Sequence, residues 1–422
     1  MRTSVTRFLA IFLLSASTYP VFAQYHTLHE IDSVMDMSPY HLPTYYAYLN
    51  FIEFMPLNFK PIDTGMIATH LYEPVLRTEN IYQNLGITGQ AHQSMIFDYQ
   101  RDMGFLYQSL SYPLYFKKQS DLKYYKLQTT YSRAAYTFGF LKNNTIFAEF
   151  TRYMRGITVA ANIYATFNEG VFLNQTTRNI CGDFLLHYEL PSAIYGFRAS
   201  YIINHLNNRE NGGLLDKELY QNRDTTVDNR LFGVRSERAT SKITIHDFAL
   251  QNYVNIRGNE NRYFGTITHD FQLGQSKMQH QDTIPPYYFN KPTNDSIRMI
   301  MVKNAIQWSN FSPFQEVSSK SNFFHIAGGL LHDYADLRYV NTSFNALYLF
   351  ARTHIRLFNV MDITAQVSYS VVSDYGNNDL AAKASIFWTI NREKEHKVEL
   401  YTNYYRNDPE YIMKHTISNN FQ

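Results

Sequence analysis

Met361-Asp362-Ile363-Thr364-Ala365-Gln366-Val367-Ser368-Tyr369-Ser370-Val371 alternates without a break. Met361, Ile363, Ala365, Val367, Tyr369 and Val371 form one apolar set; Asp362, Thr364, Gln366, Ser368 and Ser370 form the polar one. Alternation at 180° per residue places every second side chain on the same face of a strand, so this run reads as a strand with one apolar and one wet face. The same rhythm recurs at 157–168, where Ile157, Val159, Ala161, Ile163, Ala165 and Phe167 share a face. It recurs again at 180–190, where Ile180, Gly182, Phe184, Leu186, Tyr188 and Leu190 oppose Asp183, His187 and Glu189.

Length separates these runs from ordinary strands. Each spans about 10–14 residues, against about 5–6 for a globular strand and 9–11 to cross a bilayer at a tilt. Their connections point the same way. Leu190-Pro191-Ser192 and 257–261 are short links, whereas 207–241 and 274–296 read as long polar ones, the pattern of periplasmic turns and extracellular loops. No proline occurs between Leu114 and Leu190 or between Phe314 and Asp408. A closed sheet has no edge to accommodate the missing N–H, so proline is confined to turns. The expected wall strands are 122–131, 144–153, 157–168, 179–190, 193–206, 242–256, 262–273, 298–311, 321–333, 340–355, 360–372, 379–391 and 396–407. The stretch 133–141 is either a further strand or part of a loop. Tyr and Phe near strand ends (Tyr188, Tyr195, Tyr201, Tyr404, Tyr405) suit an aromatic girdle at the lipid interface.

Composition agrees. The chain of 422 residues holds 35 Tyr and 31 Phe but only 18% charged residues, below the soluble norm of about 25%. Its mean hydropathy of −0.34 is that of a soluble protein, and no apolar run of helix-spanning length follows Leu14. A barrel reconciles these, because its strands meet lipid at alternate residues only. The fold class expected is all-β: an antiparallel transmembrane β-barrel of about 14 or more strands with an irregular N-terminal extension.

The first 23 residues read as a cleaved signal peptide: Arg2 and Arg7, the apolar run from Phe8 to Leu14, then Val21-Phe22-Ala23. Without Arg2 and Arg7 the formal charge falls from +2 to 0 (2 − 2 = 0), which gives no basic face for nucleic acid. Residues 24–120 hold clustered prolines without sustained alternation. They form an extension that lies in the periplasm, plugs the lumen or supports the first strands. Residues 121–422 form the barrel. Cys181 is the sole cysteine, so no internal disulfide exists, and it reads as an ordinary wall residue.

Several stretches in order resemble the putative porin family of Bacteroidetes outer membranes. They are Tyr82-Gln83-Asn84-Leu85-Gly86, Asn168-Glu169-Gly170-Val171-Phe172-Leu173-Asn174-Gln175, Asn211-Gly212-Gly213, and Asp374-Tyr375-Gly376-Asn377-Asn378-Asp379. The resemblance covers about residues 80–422 and implies an outer-membrane barrel with diffusion-pore activity. Members of that family are usually longer. The final run from Lys414 lacks the length of its neighbours, and thirteen full strands is an odd number where single-chain bacterial barrels have an even one. A barrel truncated at its C-terminus, with a gap between first and last strands, is therefore expected.

No His-Glu-x-x-His pair, Gly-x-Ser-x-Gly elbow or phosphate-binding Gly loop is present. The chain is read as no enzyme, with no catalytic, cofactor-binding or metal-binding residue and no cofactor. Asp183, His187 and Glu189 line one strand face as polar lumen residues; Arg198 and Lys383 lie on polar faces where they could pair with such acids. The leading function is passive diffusion of small polar solutes through an outer-membrane porin. The partners are then membrane lipid and those solutes, with no nucleic acid. The alternatives are a non-conducting structural or secretion-associated barrel, and a soluble exported β-protein binding glycans.

Overall fold

The computed structural model describes residues 45–49, 57, 59–62, 73–77, 82–84, 87–95, 112–127, 129–139, 142–222, 227–257, 263–283, 292–312, 322–358, 360–374, 379–391 and 396–406. The signal peptide expected at residues 1–23 and the run from Lys414 lie outside them.

Thirteen consecutive strands form one antiparallel sheet, each paired with its sequence neighbours. They are β6 (Tyr131–Gly139), β7 (Asn143–Met154), β8 (Ile157–Asn168), β9 (Thr177–Glu189), β10 (Tyr195–Arg209), β11 (Thr240–Arg257), β12 (Tyr263–Asp282), β13 (Thr293–Ser309), β14 (Phe323–Leu337), β15 (Thr342–Leu357), β16 (Met361–Ser373), β17 (Leu380–Asn391) and β18 (His396–Arg406). This is the up-and-down order of a β-barrel wall. β6 and β18 are its two edges, and they are not paired with each other among the described residues.

Before the wall come four short strands, β1 (Tyr45–Tyr48), β2 (Lys60–Pro61), β3 (Tyr82–Asn84) and β4 (His92–Ser94), and then β5 (Lys123–Lys126). β5 pairs with β1, and β1 with β2, in a separate three-stranded sheet; β3 and β4 form a hairpin. The expected strand at 122–131 is thus not part of the wall, which begins instead at Tyr131 with the stretch left open at 133–141. Lys123-Tyr124-Tyr125-Lys126 has strand chemistry, but Tyr124 and Tyr125 are both buried, against an interior rather than lipid.

The apolar sets face outward. Ile163, Phe184, Val367 and Val371 are 45%, 45%, 48% and 52% exposed, while their alternates Asn162, Asp183 and Ser368 are buried. Inversion relative to a soluble sheet follows from the solvent: lipid is outside and polar groups find partners within. Tyr201 and Tyr404 also face outward, while Tyr405 belongs to the lumen set with Lys383, 6.0 Å from its Nζ. Outward Trp308, Trp388 and Phe358 add to the aromatics at the wall's short-turn end.

Loop lengths alternate less cleanly than expected. At one end the connections are 140–142, 169–176, 210–239, 283–292, 338–341 and 374–379; at the other, 155–156, 190–194, 258–262, 310–322, 358–360 and 392–395. The expected loop at 274–296 is largely strand. β12 runs for 20 residues, far beyond what a bilayer requires. Its upper part, Gln275-Ser276-Lys277-Met278-Gln279-His280-Gln281, is polar on both faces because it rises out of lipid into water, and polarity on both faces reads as a loop.

Candidate functional site

The lumen is occupied. Described stretches of the N-terminal segment lie against the inner face of β7–β11. At the long-loop end sits the turn Thr88-Gly89-Gln90. Thr177 Oγ1 donates to Thr88 O at 2.9 Å, and Asn179 and Asn208 donate through Nδ2 to Gly89 O at 2.8 and 2.9 Å. Gln90 Nε2 donates to Gln175 O at 3.2 Å and to Arg209 O at 3.3 Å. Gly89 has φ of 88°, and a Cβ there would lie 2.7 Å from Asn179 Nδ2, so only glycine lets this turn sit against the wall.

His92 locks the turn to the next segment. Its Nε2 accepts from the Leu114 N–H at 3.1 Å, which leaves Nδ1–H to donate to Gln90 O at 3.3 Å. The ring is therefore neutral, and burial holds its pKa below the ordinary imidazole value.

From Tyr112 the chain descends. Cys181 Sγ donates to Tyr115 O at 2.9 Å, and Lys117 exchanges two bonds with Asn204, N–H to Oδ1 at 2.8 Å and O from Nδ2 at 2.9 Å. The Lys117 ammonium pairs with Asp183, whose other oxygen accepts from Asn162 at 2.8 Å. Gln119 accepts from Ser200 at 2.7 Å and donates to Asp247 at 3.1 Å. Lower still, Lys123 pairs with Glu149 at 2.9 Å, and Tyr125 donates to the same carboxylate.

Apolar contacts seal the upper level. Tyr112, Tyr115 and Phe116 pack on Leu206, Ile243, Ile245, Met299, Met301, Ala335, Leu337 and Phe344, all buried and all on the inner face of β10–β15. A polar lumen lining was expected; part of the inner face carries an apolar seat instead. Burying one such aromatic contributes about 1.5–3 kcal/mol. A lower cluster joins Ala47, Leu49, Leu57, Leu122, Tyr124, Tyr125 and Leu127 to wall residues Ala160, Leu185 and Ile202. The signal missed in the sequence is this break in alternation, where Ile243, Ile245, Met299 and Met301 occupy water-side positions.

The polar residues singled out from sequence do share the inner face, with separate partners. Asp183 belongs to Lys117; His187 stacks edge-on against Tyr124 at 5.0 Å; Glu189 accepts from Tyr253 at 2.6 Å. Arg198 is buried, 1% exposed, and interacts electrostatically with Asp270, which also accepts from Gln251 at 2.5 Å and Gln307 at 2.9 Å. Among the described residues, no cluster of three His, Cys, Asp or Glu could hold a metal ion.

Ser241, His280 and Glu210 bring together the residue types of an acyl-transfer triad at the long-loop end. Ser241 Oγ lies 2.9 Å from His280 Nδ1, but Glu210 Oε2 approaches the same nitrogen, at 3.8 Å. A relay needs the hydroxyl on one ring nitrogen and the carboxylate on the other. Glu210 is instead bound by Tyr112, whose hydroxyl donates to Oε1 at 2.5 Å.

The loop 168–175 is held by its own polar side chains and tied to its neighbours. Gly170 N–H donates to Asn168 Oδ1 at 2.7 Å, and Val171 and Phe172 donate to Gln175 Oε1, both at 3.1 Å. Asn174 Nδ2 reaches Glu210 O, Ser236 O and Ala239 O at 3.1 Å each, stitching this loop to the next. Phe172, Tyr220 and Phe232 pack edge-to-face in turn, with Tyr220 on the short helix α1 (Lys217–Gln221). Glu169 joins Lys142 and Arg230, and the hydrogen bond from Lys142 holds its carboxyl below the usual range.

No curated protein and no solved structure matches this chain. A family model described as "Putative porin" matches residues 44–422. With a porin-like wall, outward apolar faces and that match over most of its length, the chain belongs to the putative porin family of outer-membrane proteins.

Proposed function

We propose that the chain passes small polar solutes by passive diffusion across the outer membrane, and that the N-terminal segment is an internal stopper that must shift for conduction. The observation carrying this reading is how the inner wall is divided: Tyr112, Tyr115 and Phe116 cover an apolar patch on β10–β15, while charged and polar side chains line β15–β17. A wall that never parted from the segment would need no polar lining beyond it. Yet β15–β17 present Arg352, Arg356, Asp362, Gln366 and Lys383 inward. No catalytic role is assigned, since Ser241, His280 and Glu210 do not form a relay.

The second reading, a barrel permanently closed by the segment, is favoured by the same apolar seat. Planar-bilayer recording on the purified full chain separates the two. Stepwise conductance is expected; its complete absence at any voltage the bilayer survives would overturn diffusion and leave the closed barrel. The soluble, glycan-binding alternative is disfavoured by the exposed outer stripe of Ile163, Phe184, Leu273, Ile306, Leu330, Leu349 and Val367.

Orientation follows from loop length, with the 210–239 connection outside the cell and 190–194 in the periplasm. An epitope inserted between Asn222 and Asp228 is expected to be labelled on intact cells. One at Ser192 should be labelled only after permeabilisation, and labelling at Ser192 alone would invert the molecule.

A further inference from the structure

The outer face of β9–β13 carries five cations and no Asp or Glu: Arg178, Arg209, Lys242, Lys277 and Arg298, all exposed. Every one lies at the long-loop end. The opposite end of the same face holds Tyr188, Tyr195, Ile256, Ile306 and Trp308, with no charge.

Register places them together. Arg178 is opposite Asn207, Asn207 opposite Lys242, and Lys242 opposite Gln279. One outward row nearer the membrane, Thr244 is opposite Lys277, and Lys277 directly opposite Arg298. Arg338, also exposed, continues this row through its N–H to Arg298 O at 3.0 Å. Two outward rows further down is the apolar row Phe184, Tyr201, Phe248, Leu273 and Val302. At about 6.8 Å between successive same-face residues, the Lys277–Arg298 pair stands about 14 Å along the strand above that row. On a tilted strand this is the headgroup zone, and the long side chains reach down into it.

Like charges directly opposite on a strand pair destabilise it; Arg338 is paired with Asp336 at 3.2 Å, whereas among the described residues no ion pair engages Lys277 or Arg298. We propose that this cationic face is a docking surface for the phosphate groups of phosphorylated glycolipid in the outer leaflet, one phosphate bridging Lys277 and Arg298 with Lys242 beside it. Three features support that occupant: charge complementarity, position just beyond the apolar band, and confinement to one end of the barrel. The inference depends on the chain's insertion and orientation, not on whether it conducts.

The test uses the full chain, folded in neutral detergent, with a bis-phosphorylated glucosamine-disaccharide lipid as probe and native mass spectrometry as readout. Folding of each variant is checked by its heat-dependent gel mobility. Lys277→Gln with Arg298→Gln should weaken lipid binding about thirtyfold, the equivalent of about 1 kcal/mol per cation near a charged surface. Millimolar inorganic phosphate should not displace the lipid, whereas displacement would identify a free-anion site instead and overturn the proposal. Without lipid, the single Lys277→Gln variant should unfold at the same or a higher temperature than the wild type, because a repulsion is removed. Equal retention of the lipid by wild type and double variant, or equal binding of the lipid stripped of its phosphates, would also overturn it.

Discussion

Replacing Lys117 by Met is expected to raise the open-channel population in a planar bilayer about thirtyfold. Lys117 is the cation of the stopper: its ammonium pairs with Asp183, whose side chain is 1% exposed. Removing one partner of a buried, charge-assisted bond costs about 1.5–3 kcal/mol, because the other is left without its counter-charge. The whole penalty falls on the seated state, since Asp183 is free to hydrate once the segment moves away. About 2 kcal/mol corresponds to that thirtyfold change. Adding Asp183→Asn in the Lys117→Met background should recover most of the closed population, as an amide at that position needs no cation. If the single variant conducts as the wild type does, or the double variant is as open as the single, the pair does not seat the segment.

Replacing Val367 by Arg should abolish or sharply reduce assembly, while Gln366→Arg is tolerated. Val367 is 48% exposed on the outer face of β16, near the middle of its run, and an Arg at the bilayer midplane of a barrel costs about 2–4 kcal/mol. Gln366 faces the lumen opposite Lys383 and Arg352, so a further cation there meets a cross-strand repulsion of up to about 1 kcal/mol per pair, and it stays out of lipid, with Asp362 on the same face. Heat-dependent gel mobility of the membrane fraction reads the folded yield. Equal yields for the two variants would mean that the outer face does not meet lipid.

These outcomes test readings that differ in how visible they were beforehand. Met361–Ser373 shows its two faces at the level of single residues, because adjacent side chains see different solvents and a substitution on either face is penalised locally. Twelve of the thirteen expected strands have a counterpart in the wall on that basis, with ends that shift by several residues. The strand expected at 122–131 fails for a clear reason. Lys123–Lys126 is a strand, but its partner is Tyr45–Tyr48, and the pattern of a segment does not say which sheet it joins. The upper half of β12 fails for another, since above the membrane both faces meet water and alternation vanishes.

By itself, then, the sequence determined that the chain is β-rich, that its strands are long enough to cross a membrane, and which face of each meets lipid. These are one-dimensional properties, set by period and length. It did not determine what fills the lumen. Ile243, Ile245, Met299 and Met301 look like lapses in a polar face until Tyr112, Tyr115 and Phe116 are set against them. Lys117 and Asp183, or Gly89 and Asn179, are far apart along the chain and acquire meaning only as pairs. Nor do Lys277 and Arg298 become neighbours before the register of β12 and β13 is known. Burial, pairing and like-charge adjacency are properties of distances in space, and the tertiary structure alone decided them.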